Sequence, residues 1–340
     1  MKFKLGIIGP SPKDDRDFKY KNRLLAKSTP VSETEFPSKF SLEPGLLSPR
    51  DQGNCGSCAA QTAAVVVEGL NYAQYNTKEY MSPAFIYSLR TIPDQDSGMY
   101  MRNVCKILHK VGSVPEKTLE YDVSKLAPKV MYDIPYLWND SASSIDNTVE
   151  FEYRDEAEKY RIGEYRNVEQ SSLEMKAALV SEKAPLLFAV PVYGSSPYKE
   201  RMWDYKKYDT MAGGHAMAIV GWDDDFVPYE GCAPGAFKVR NSWGTSWGDG
   251  GYTWFPYEDL KTRREADIEN ASEYPNEGYA QPMPWEIYAV IDIKEVIPDP
   301  EPLPIDDDLG VTKLPWWVWV VVAGTVVLPI VFGLLMSLVN

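Results

Sequence analysis

The chain has 340 residues, of which 44% are hydrophobic and 25% are charged, which is the balance of an ordinary globular protein. Its formal net charge is −14, and the sequence contains no run of basic residues. Nucleic acid is therefore excluded as an expected partner, because phosphate binding requires clustered Lys and Arg. The apolar stretch from Leu5 to Ile8 is shorter than the ~7–15 residues of a secretory signal, so the cysteines are expected to be reduced thiols.

Residues 1–45 form a polar region punctuated by proline. Two interpretations of this region stay open from the sequence. It is either an extended arm that wraps on the following domain or a disordered stretch. In both cases it precedes a folded domain at 46–293.

The first part of that domain has the pattern of helices. A Gly-rich loop leads into residues 57–74, whose Ala and Val residues indicate a buried helix. Ser82 followed by Pro83 is typical of a helix start, and Gly112 is typical of a left-handed helix end. The predicted helices therefore cover residues 57–74, 82–90 and 99–111.

The second part changes to short apolar runs that indicate buried strands. A capping-box pattern at Ser171 and Glu174 first predicts one more short helix. The predicted strands are 185–190, 215–222, 236–241 and 286–293. A helical half, about 46–135, followed by a strand-rich half, about 136–293, predicts the α+β class with a cleft between the halves.

Two further segments follow the domain. Residues 294–313 are acidic and rich in proline, which indicates a semi-rigid linker. From Trp316 to Val339 no residue is charged, and about 20 apolar residues of helix suffice to cross a bilayer core. The tryptophans at its start fit an aromatic belt at the lipid interface. Residues 314–340 are therefore predicted to be a membrane anchor with one transmembrane helix, and a buried core helix is the disfavoured alternative.

The first chemically informative segment is QGNCGSC at residues 52–58. A thiol at the start of a helix is exposed to the positive end of the helix dipole, which predicts that the pKa of Cys58 lies below the ordinary value of about 8.5. A thiolate nucleophile needs a base, and the chain has two histidines. His109, beside Lys110 near a helix end, is interpreted as a surface cation. His215 opens an apolar strand, where a histidine at the rim of a cleft is well placed to face the thiol.

A third group must orient the imidazole ring. Asn241 ends a predicted strand, and its amide is suited to accept a hydrogen bond from the ring, while Trp243 and Trp247 are placed to shield that bond from water. Two other interpretations concern the pair Cys55 and Cys58. A redox pair lacks a surrounding βαβ unit, and a zinc site lacks a second pair of ligands.

Three motifs of this chain together resemble a known family. QGNCGSC at 52–58, GGHAMAIVGW at 213–222 and NSWGTSWGDGGY at 241–252 resemble, in this order, the papain and cathepsin family of cysteine peptidases. The family signature places His and Asn ~130–150 residues after the cysteine, and the intervals here are somewhat longer. The resemblance covers roughly residues 36–293. It implies a papain-like fold, in which a helical domain and a β-barrel-like domain flank an active-site cleft.

The resemblance also implies roles by position. Cys58 matches the nucleophile and His215 matches its base. Asn241 matches the amide that orients the imidazole, and Gln52 matches the side-chain donor of the oxyanion hole. The substrate-binding positions that the resemblance implies are Gly56, Gly98, Gly214, Ala216 and Trp243. It implies neither a metal nor a cofactor, and it predicts a cysteine-type endopeptidase that cleaves polypeptides through a thioester acyl-enzyme.

The sequence departs from the family pattern at three points. The aromatic residue that usually follows the nucleophile is Ala59 here, which is expected to loosen packing at the cleft floor. Secreted members pair the cysteine at the Cys55 position with one downstream, and the nearest here, Cys105, lies in a helical pattern. The usual long inhibitory pro-segment is not recognised. These features are more similar to the cathepsin-like enzymes of large DNA viruses and microbes than to lysosomal ones.

Two alternatives to a peptidase stay open. The first is a membrane-anchored scaffold protein on a catalytically degenerate peptidase fold, although no catalytic residue is lost. The second is a papain-fold acyltransferase or amidase, which uses the same thioester chemistry with another acceptor. Since the apolar run lies at the end of the chain, insertion after translation is expected. The catalytic domain is then predicted on the cytosolic or virion-interior face of a membrane.

Overall fold

The structure is a computed structural model that describes residues 4–12, 14, 19–20, 36–90, 96–122, 153–193, 211–260 and 284–293. All of them belong to one unit, Met1–Val296. The predicted linker at 294–313 and the predicted anchor at 314–340 lie outside the described residues. Within the described ranges, none of the helices combines the length and the apolar character needed to span a bilayer.

The three helices predicted in the first half are confirmed, with small shifts at their ends. They are α1 (Cys58–Tyr75), α2 (Pro83–Ser88) and α3 (Met101–Lys110). The hydroxyl of Ser82 accepts the Phe85 N–H at 3.0 Å, which caps α2 as its Ser-Pro start predicts. Gly112 follows α3 with a φ of 102°, a conformation that glycine adopts without strain.

Two further helices lie within the strand-rich half, α4 (Arg154–Glu158) and α5 (Ser172–Glu182). The prediction of a helix after Ser171 is confirmed by α5, but the predicted capping box is wrong, because the Ser171 side chain makes no capping hydrogen bond. The helix instead gains its stability from burial, since Met175 and Leu179 are fully enclosed.

The strands form one antiparallel sheet among the described residues. They are β1 (Lys39–Ser41), β2 (Ile162–Asn167), β3 (Leu186–Tyr193), β4 (Met211–Asp223), β5 (Ala236–Arg240), β6 (Tyr252–Pro256) and β7 (Glu286–Ile293). Their order is β2-β7-β3-β4-β5-β6, and β1 adds to β4 at residues 221–223. All four predicted strands are confirmed, although β4 begins four residues before His215.

Side chains of the sheet alternate between two apolar cores. On β3, Leu187 and Ala189 face the core that surrounds α1, whereas Phe188 and Val190 face the core beneath α5. The second core also holds Trp222, which stacks on Phe40 from β1 at 4.7 Å between ring centroids. Both faces of the sheet are therefore covered, and the contact between α1 and the sheet is buried. The candidate site lies at one end of this contact.

Candidate active site

Cys58 is the first residue of α1 and is fully buried. The backbone N–H groups of Ala216, Gly6 and Ala59 lie within hydrogen-bonding reach of its sulfur. Ala216 directly follows His215 on β4, so the fold brings the predicted nucleophile and the predicted base together at the end of the contact between α1 and the sheet.

The His215 ring is held by one hydrogen bond. Its Nε2 lies 2.8 Å from Oδ1 of Asn241, and the same oxygen accepts the backbone N–H of Ser242 at 2.8 Å. Because Oδ1 is an acceptor in both contacts, Nε2 carries the ring proton in neutral His215. Nδ1 is then the free acceptor, and it is buried without a hydrogen-bond partner among the described residues.

Strand register explains why Asn241 reaches His215. In the antiparallel pair of β4 and β5, Ala218 lies opposite Arg240. Asn241 follows Arg240 directly, so it lies one step further along β5 toward the position of His215 on the neighbouring strand. The β4–β5 pairing therefore sets the His–Asn contact that the sequence predicted.

Two tryptophans enclose this contact, as the sequence predicted. The ring of Trp243 lies 4.6 Å from the His215 ring between centroids, and Trp247 packs perpendicular to Trp243 at 5.4 Å. Both tryptophans are buried. A hydrogen bond that is shielded from water in this way is stronger than an exposed one.

Gln52 is fully buried, and its side chain is fixed at both ends. Its Oε1 accepts the hydroxyl of Ser242 at 2.6 Å, and its Nε2 donates to the carbonyl oxygens of Cys55 at 2.8 Å and Lys4 at 2.9 Å. Its backbone N–H also donates to the Ser242 carbonyl at 2.8 Å. Ser242 was not predicted as a site residue, because a serine that follows Asn241 carries no chemical signal of its own in the sequence.

Residues 4–12, here called the N-terminal segment, lie in the cleft. The N–H of Ile7 donates to the Gly214 carbonyl at 3.0 Å, and the N–H of Met99 donates to the Gly6 carbonyl at 2.9 Å. Ile7 thus bridges Met99 in parallel and Gly214 in antiparallel orientation. The predicted substrate positions Gly98 and Gly214 therefore flank an extended chain that runs over Cys58.

Close backbone contacts explain the glycines at this point. A Cβ on Gly6 would lie 1.9 Å from the Gly56 carbonyl oxygen, which is a clash with backbone. A Cβ on Gly98 would lie 2.3 Å from the Gly6 carbonyl oxygen, and Gly98 has a φ of 81°. Glycine is the residue that permits both the approach and this conformation.

Lys4 anchors one end of the N-terminal segment. Its ammonium group forms an ion pair with Oδ2 of Asp96. Oδ1 of Asp96 accepts the Gly56 N–H at 2.8 Å and the hydroxyl of Tyr87. Burial by itself raises the pKa of Asp96, but Lys4 and these donors outweigh it, so that the pKa lies below its ordinary value.

The other end of the segment is held by polar contacts with the opposite rim of the cleft. The hydroxyl of Ser11 donates to Oε1 of Glu286 at 2.9 Å and accepts the N–H of Arg102 at 3.1 Å. The guanidinium of Arg102 donates to the Pro12 carbonyl. The described part of the 1–45 region therefore packs on the domain, which favours an arm at these residues.

Burial under the N-terminal segment decides the charge of the site. It raises the pKa of Cys58 to about 12, against the opposing effect of the nearby backbone N–H groups. It lowers the pKa of His215 to about 4, against the opposing hydrogen bond to Asn241. Thiol and imidazole are both neutral at pH 7 in this closed form. The predicted low thiol pKa is wrong for the closed form, because solvent that would stabilise the thiolate is excluded.

The structure also tests the predictions for the other cysteines, for Ala59 and for His109. All four cysteines are free, and Sγ of Cys55 lies 3.8 Å from Oδ1 of Asp96 instead of in a disulfide. Ala59 is fully buried. His109 lies in the last turn of α3 as expected, but it is not a plain surface cation, because its Nδ1 contacts the Ile162 carbonyl at 3.2 Å and its ring packs on Tyr165. Among the described residues, no group of three His, Cys, Asp or Glu is arranged to hold a metal ion.

Known proteins are similar to this chain in sequence. An uncharacterized peptidase C1-like protein of Acanthamoeba polyphaga mimivirus is 29% identical over 225 residues, which cover 63% of this chain and 66% of that protein. A cathepsin B-like protein of Giardia intestinalis is 26% identical over 208 residues, which cover 59% of this chain and 61% of that protein. The matches therefore span less than two thirds of either relative's length. The predicted similarity to viral and microbial cathepsin-like proteins is confirmed.

Solved structures share the fold. Xylellain, a cysteine protease from Xylella fastidiosa, superposes with a TM-score of 0.61 at 26% identity, covering 86% of this chain and 98% of that one. This similarity confirms a papain-like fold of mixed helices and sheet. Residues 42–276 match the sequence family described as papain family cysteine protease, which is more than half of the chain. The chain therefore belongs to the papain family of cysteine proteases.

Proposed function

We propose that this protein hydrolyses internal peptide bonds, with Cys58 as nucleophile and His215 as base. The observation that carries the proposal is the free Nδ1 of His215, which is buried, unpaired among the described residues, and set by the bond from Nε2 to Asn241. A ring oriented in this way, next to a thiol at a helix start, has the arrangement of an activated nucleophile and its base.

The first half of the reaction forms a thioester. A peptide enters along Met99 and Gly214, and its carbonyl oxygen accepts from Nε2 of Gln52. The Cys58 thiol passes its proton to Nδ1 of His215, and the sulfur attacks the carbonyl carbon. As the C–N bond breaks, His215 returns the proton to the departing amine, and the acyl group stays on Cys58.

The second half releases the acid. Water loses a proton to Nδ1 of His215 while its oxygen attacks the thioester carbon. The C–S bond breaks, the carboxylic acid leaves, and His215 reprotonates Cys58. Gln52 acts in both halves, because its amide donates to the oxygen that becomes negative in each tetrahedral intermediate.

The path of the N-terminal segment supports cleavage inside a polypeptide. The segment crosses Cys58 as a continuous chain, with Lys4 on one side and Ile7 to Ser11 on the other. The cleft therefore accommodates peptide backbone on both sides of the thiol, as an endopeptidase requires. Because the segment occupies the place of a substrate, the closed form is latent, and cleavage requires the segment to leave.

The test is peptide hydrolysis by the full chain, followed by mass spectrometry. Cys58→Ala should abolish cleavage, whereas Cys232→Ala, which removes a thiol from the loop between β4 and β5, should retain it. Because the closed form is latent, both variants are made in the full chain with Gly6→Val, in which the N-terminal segment cannot seat. Equal and measurable cleavage with and without Cys58→Ala would refute the proposal. Transfer of the acyl group to an added amine in place of water would identify an acyltransferase. A Cys58 that forms no acyl adduct in any buffer would favour a scaffold role.

We also propose that residues 314–340 tether the protein to a lipid bilayer. The support is compositional: the stretch from Trp316 to Val339 has no charge and enough apolar residues for one span. The full chain should float with liposomes in a density gradient, whereas a variant with Asp substituted at Val326 and Leu334 should stay at the bottom. Flotation of both would show binding through another surface. Protease protection of sealed vesicles then reports the face, which we expect to be the cytosolic or virion-interior one.

A further inference from the structure

The loop from Gln52 to Ser57 joins the proposed oxyanion donor to the start of α1, and both of its ends contact the hydroxyl of Tyr121. The carbonyl oxygen of Gln52 accepts a hydrogen bond from this hydroxyl at 2.8 Å, and the Tyr121 oxygen lies 2.6 Å from Oγ of Ser57. A phenol has a single proton, which is donated to Gln52, so the Ser57 hydroxyl donates to the Tyr121 oxygen. One side chain thus connects the two ends of the loop.

Ser57 occupies the N-cap position of α1, directly before Cys58. Serine is favoured at this position because its hydroxyl usually accepts an N–H of the first turn. The fully buried Ser57 makes no capping bond with its side chain and donates to Tyr121 instead. Its backbone still starts the helix, since its carbonyl accepts the Gln61 N–H at 2.9 Å. The hydroxyl of Ser57 therefore fixes the loop and not the helix.

Tyr121 is itself held against the start of α2. The segment before it is fixed by Ser82, whose N–H donates to the Val114 carbonyl at 2.8 Å and whose hydroxyl donates to the Leu119 carbonyl at 2.5 Å. Burial also raises the pKa of the half-buried Tyr121, so its hydroxyl keeps its proton at neutral pH. The hydroxyl is thus a stable donor on a fixed support.

Gln52 is held from both halves of the domain. Ser242, which lies beyond the end of β5, donates its hydroxyl to Oε1 of Gln52 at 2.6 Å and accepts the Gln52 N–H at 2.8 Å. Tyr121 belongs to the helical half and holds the Gln52 carbonyl. The Ser242 contacts therefore relate Gln52 to the strands that carry His215. The Tyr121 contact relates it to the start of α1, where Cys58 lies.

We propose that Tyr121 is a positioning residue for the oxyanion hole, whose hydroxyl sets the place of the Gln52 amide relative to the Cys58 sulfur. This inference rests on the proposed peptidase function and adds a residue to its machinery. An oxyanion donor must lie about 2.7–3.1 Å from the oxygen that becomes negative. A small rotation of Gln52 therefore weakens the donor, and the binding of the uncleaved peptide changes little.

The test uses the full chain with Gly6→Val, in which the cleft is open. Tyr121→Phe removes the hydroxyl and keeps the ring. It should lower kcat by about tenfold with little change in KM, and it should cause no further loss when Gln52→Ala is also present. Tyr80→Phe is the matched control, because the Tyr80 hydroxyl also donates to a backbone carbonyl, that of Ser48 at 3.2 Å. This control should leave kcat unchanged, and additive losses from Tyr121→Phe and Gln52→Ala would overturn the proposal.

Alkylation of Cys58 by iodoacetamide separates positioning from a general disruption of the site. In this reaction the S–C bond forms as the C–I bond breaks, and no oxyanion develops. Tyr121→Phe and Gln52→Ala should therefore be alkylated at the rate of the Gly6→Val parent, as measured by mass spectrometry of the peptide that contains Cys58. A loss of alkylation as large as the loss in kcat would show that Tyr121 supports the structure of the site as a whole, and it would overturn the role in positioning Gln52.

A peptide aldehyde separates failure of this inference from failure of the proposed function. The Cys58 thiol adds to its carbonyl, so that sulfur bonds to carbon and the thiol proton goes to oxygen, and no peptide bond is cleaved. That oxygen takes the place to which Gln52 donates, so the affinity for the aldehyde should fall about tenfold in Tyr121→Phe and stay unchanged in Tyr80→Phe. If no peptide is cleaved, the peptidase proposal fails, and the aldehyde affinities still decide the role of Tyr121. Equal affinities, or an equal lack of binding, in the parent and in Tyr121→Phe would overturn it.

Discussion

Ser242 contacts both Gln52 and Asn241. Its hydroxyl donates to Oε1 of Gln52 at 2.6 Å, and its backbone N–H donates to Oδ1 of Asn241 at 2.8 Å. One residue thus links the donor proposed for the oxyanion hole to the amide that orients His215. Removing the hydroxyl leaves the backbone contact in place, so the two functions of Ser242 are separable.

Ser242→Ala should lower kcat by about tenfold with little change in KM, because it frees the Gln52 side chain to rotate and weakens one oxyanion donor. Gln52→Ala should cost about 10²–10³ in kcat, the size of a lost donor. If Ser242 acts through Gln52, the double variant should be no slower than Gln52→Ala alone. Additive losses would show that Ser242 acts by another route, and steady-state kinetics on one peptide suffices to decide.

Gly6→Val should activate the full-length protein. The new Cβ would lie 1.9 Å from the Gly56 carbonyl oxygen, so the N-terminal segment cannot seat over Cys58. Gly9→Val is the matched control, since a Cβ there meets no atom within 4 Å. We expect Gly6→Val to cleave peptides and to react with a thiol alkylator at least about tenfold faster than the wild type, and Gly9→Val to match the wild type. Equal rates for all three proteins would mean that the segment does not restrain the site.

The pH dependence of that activation follows from the buried pair. His215 has a pKa of about 4 in the closed form, against an ordinary value of 6.5, so falling pH favours the open form, which takes up a proton. Burial raises the pKa of Cys58 to about 12 in the closed form, so rising pH favours the open form wherever its hydrated thiol has lost a proton.

The ratio of the Gly6→Val rate to the wild-type rate should therefore be largest at intermediate pH and should decline toward both acid and alkaline pH. The ratio cancels the intrinsic pH profile of the chemistry, which is common to both proteins. The ion pair of Lys4 and Asp96 adds little to the pH dependence of this ratio above pH 4. The pKa of Asp96 is held below its ordinary value, so the carboxylate stays ionised there. A ratio that is constant from pH 4.5 to pH 10 would contradict the account.

The sequence predicts the site better than its surroundings. Cys58, His215 and Asn241 stand in long, distinctive motifs, and the helix and strands that hold them have strong apolar patterns. β2 was not predicted, because Ile162–Asn167 is half-buried and polar, and it is a strand only through its pairing with β7. Tertiary pairing of this kind leaves no local signal.

Neither the closing of the cleft by the N-terminal segment nor the resulting protonation of Cys58 could be predicted from the sequence. Residues 4–8 carry no motif, and their place in the cleft depends on backbone contacts with Met99 and Gly214. The low thiol pKa expected from the helix dipole is a sound argument for a hydrated cleft. The N-terminal segment reverses the direction of the pKa shift, because the exclusion of water raises the thiol pKa by more than the helix dipole lowers it. A local rule thus fails where a distant part of the chain changes the solvent.

A buried ion pair holds the loop that carries Gln52. Arg50 pairs with Glu68, which projects from the middle of α1, at 2.5 Å and with Glu116 at 3.0 Å. Glu68 is 2% exposed, and its Oε1 also accepts the N–H of Met81 at 3.0 Å. Burial raises the pKa of Glu68, and the neighbouring Arg50 opposes this shift.

Arg50→Met should destabilise the fold by about 3–5 kcal/mol at pH 7, because it leaves a buried carboxylate without its main partner. Glu68 has a folded pKa above its unfolded one, so the stability it contributes is present below the ordinary value of 4.5 and is lost as pH rises through the folded pKa. The deficit of Arg50→Met should therefore shrink toward pH 5, and adding Glu68→Gln should recover much of it at pH 7. Lys238→Met is the control, since the pair of Lys238 and Glu43 is more exposed than that of Arg50 and Glu68, at 19% and 30% against 10% and 2%, and removing Lys238 leaves Glu43 in contact with solvent. The loss in this control should therefore be smaller, about 1 kcal/mol. Urea denaturation followed by tryptophan fluorescence measures all four proteins. A loss in Arg50→Met no larger than in Lys238→Met, or one that is the same at pH 5 and pH 7, would show that the pair does not carry this stability.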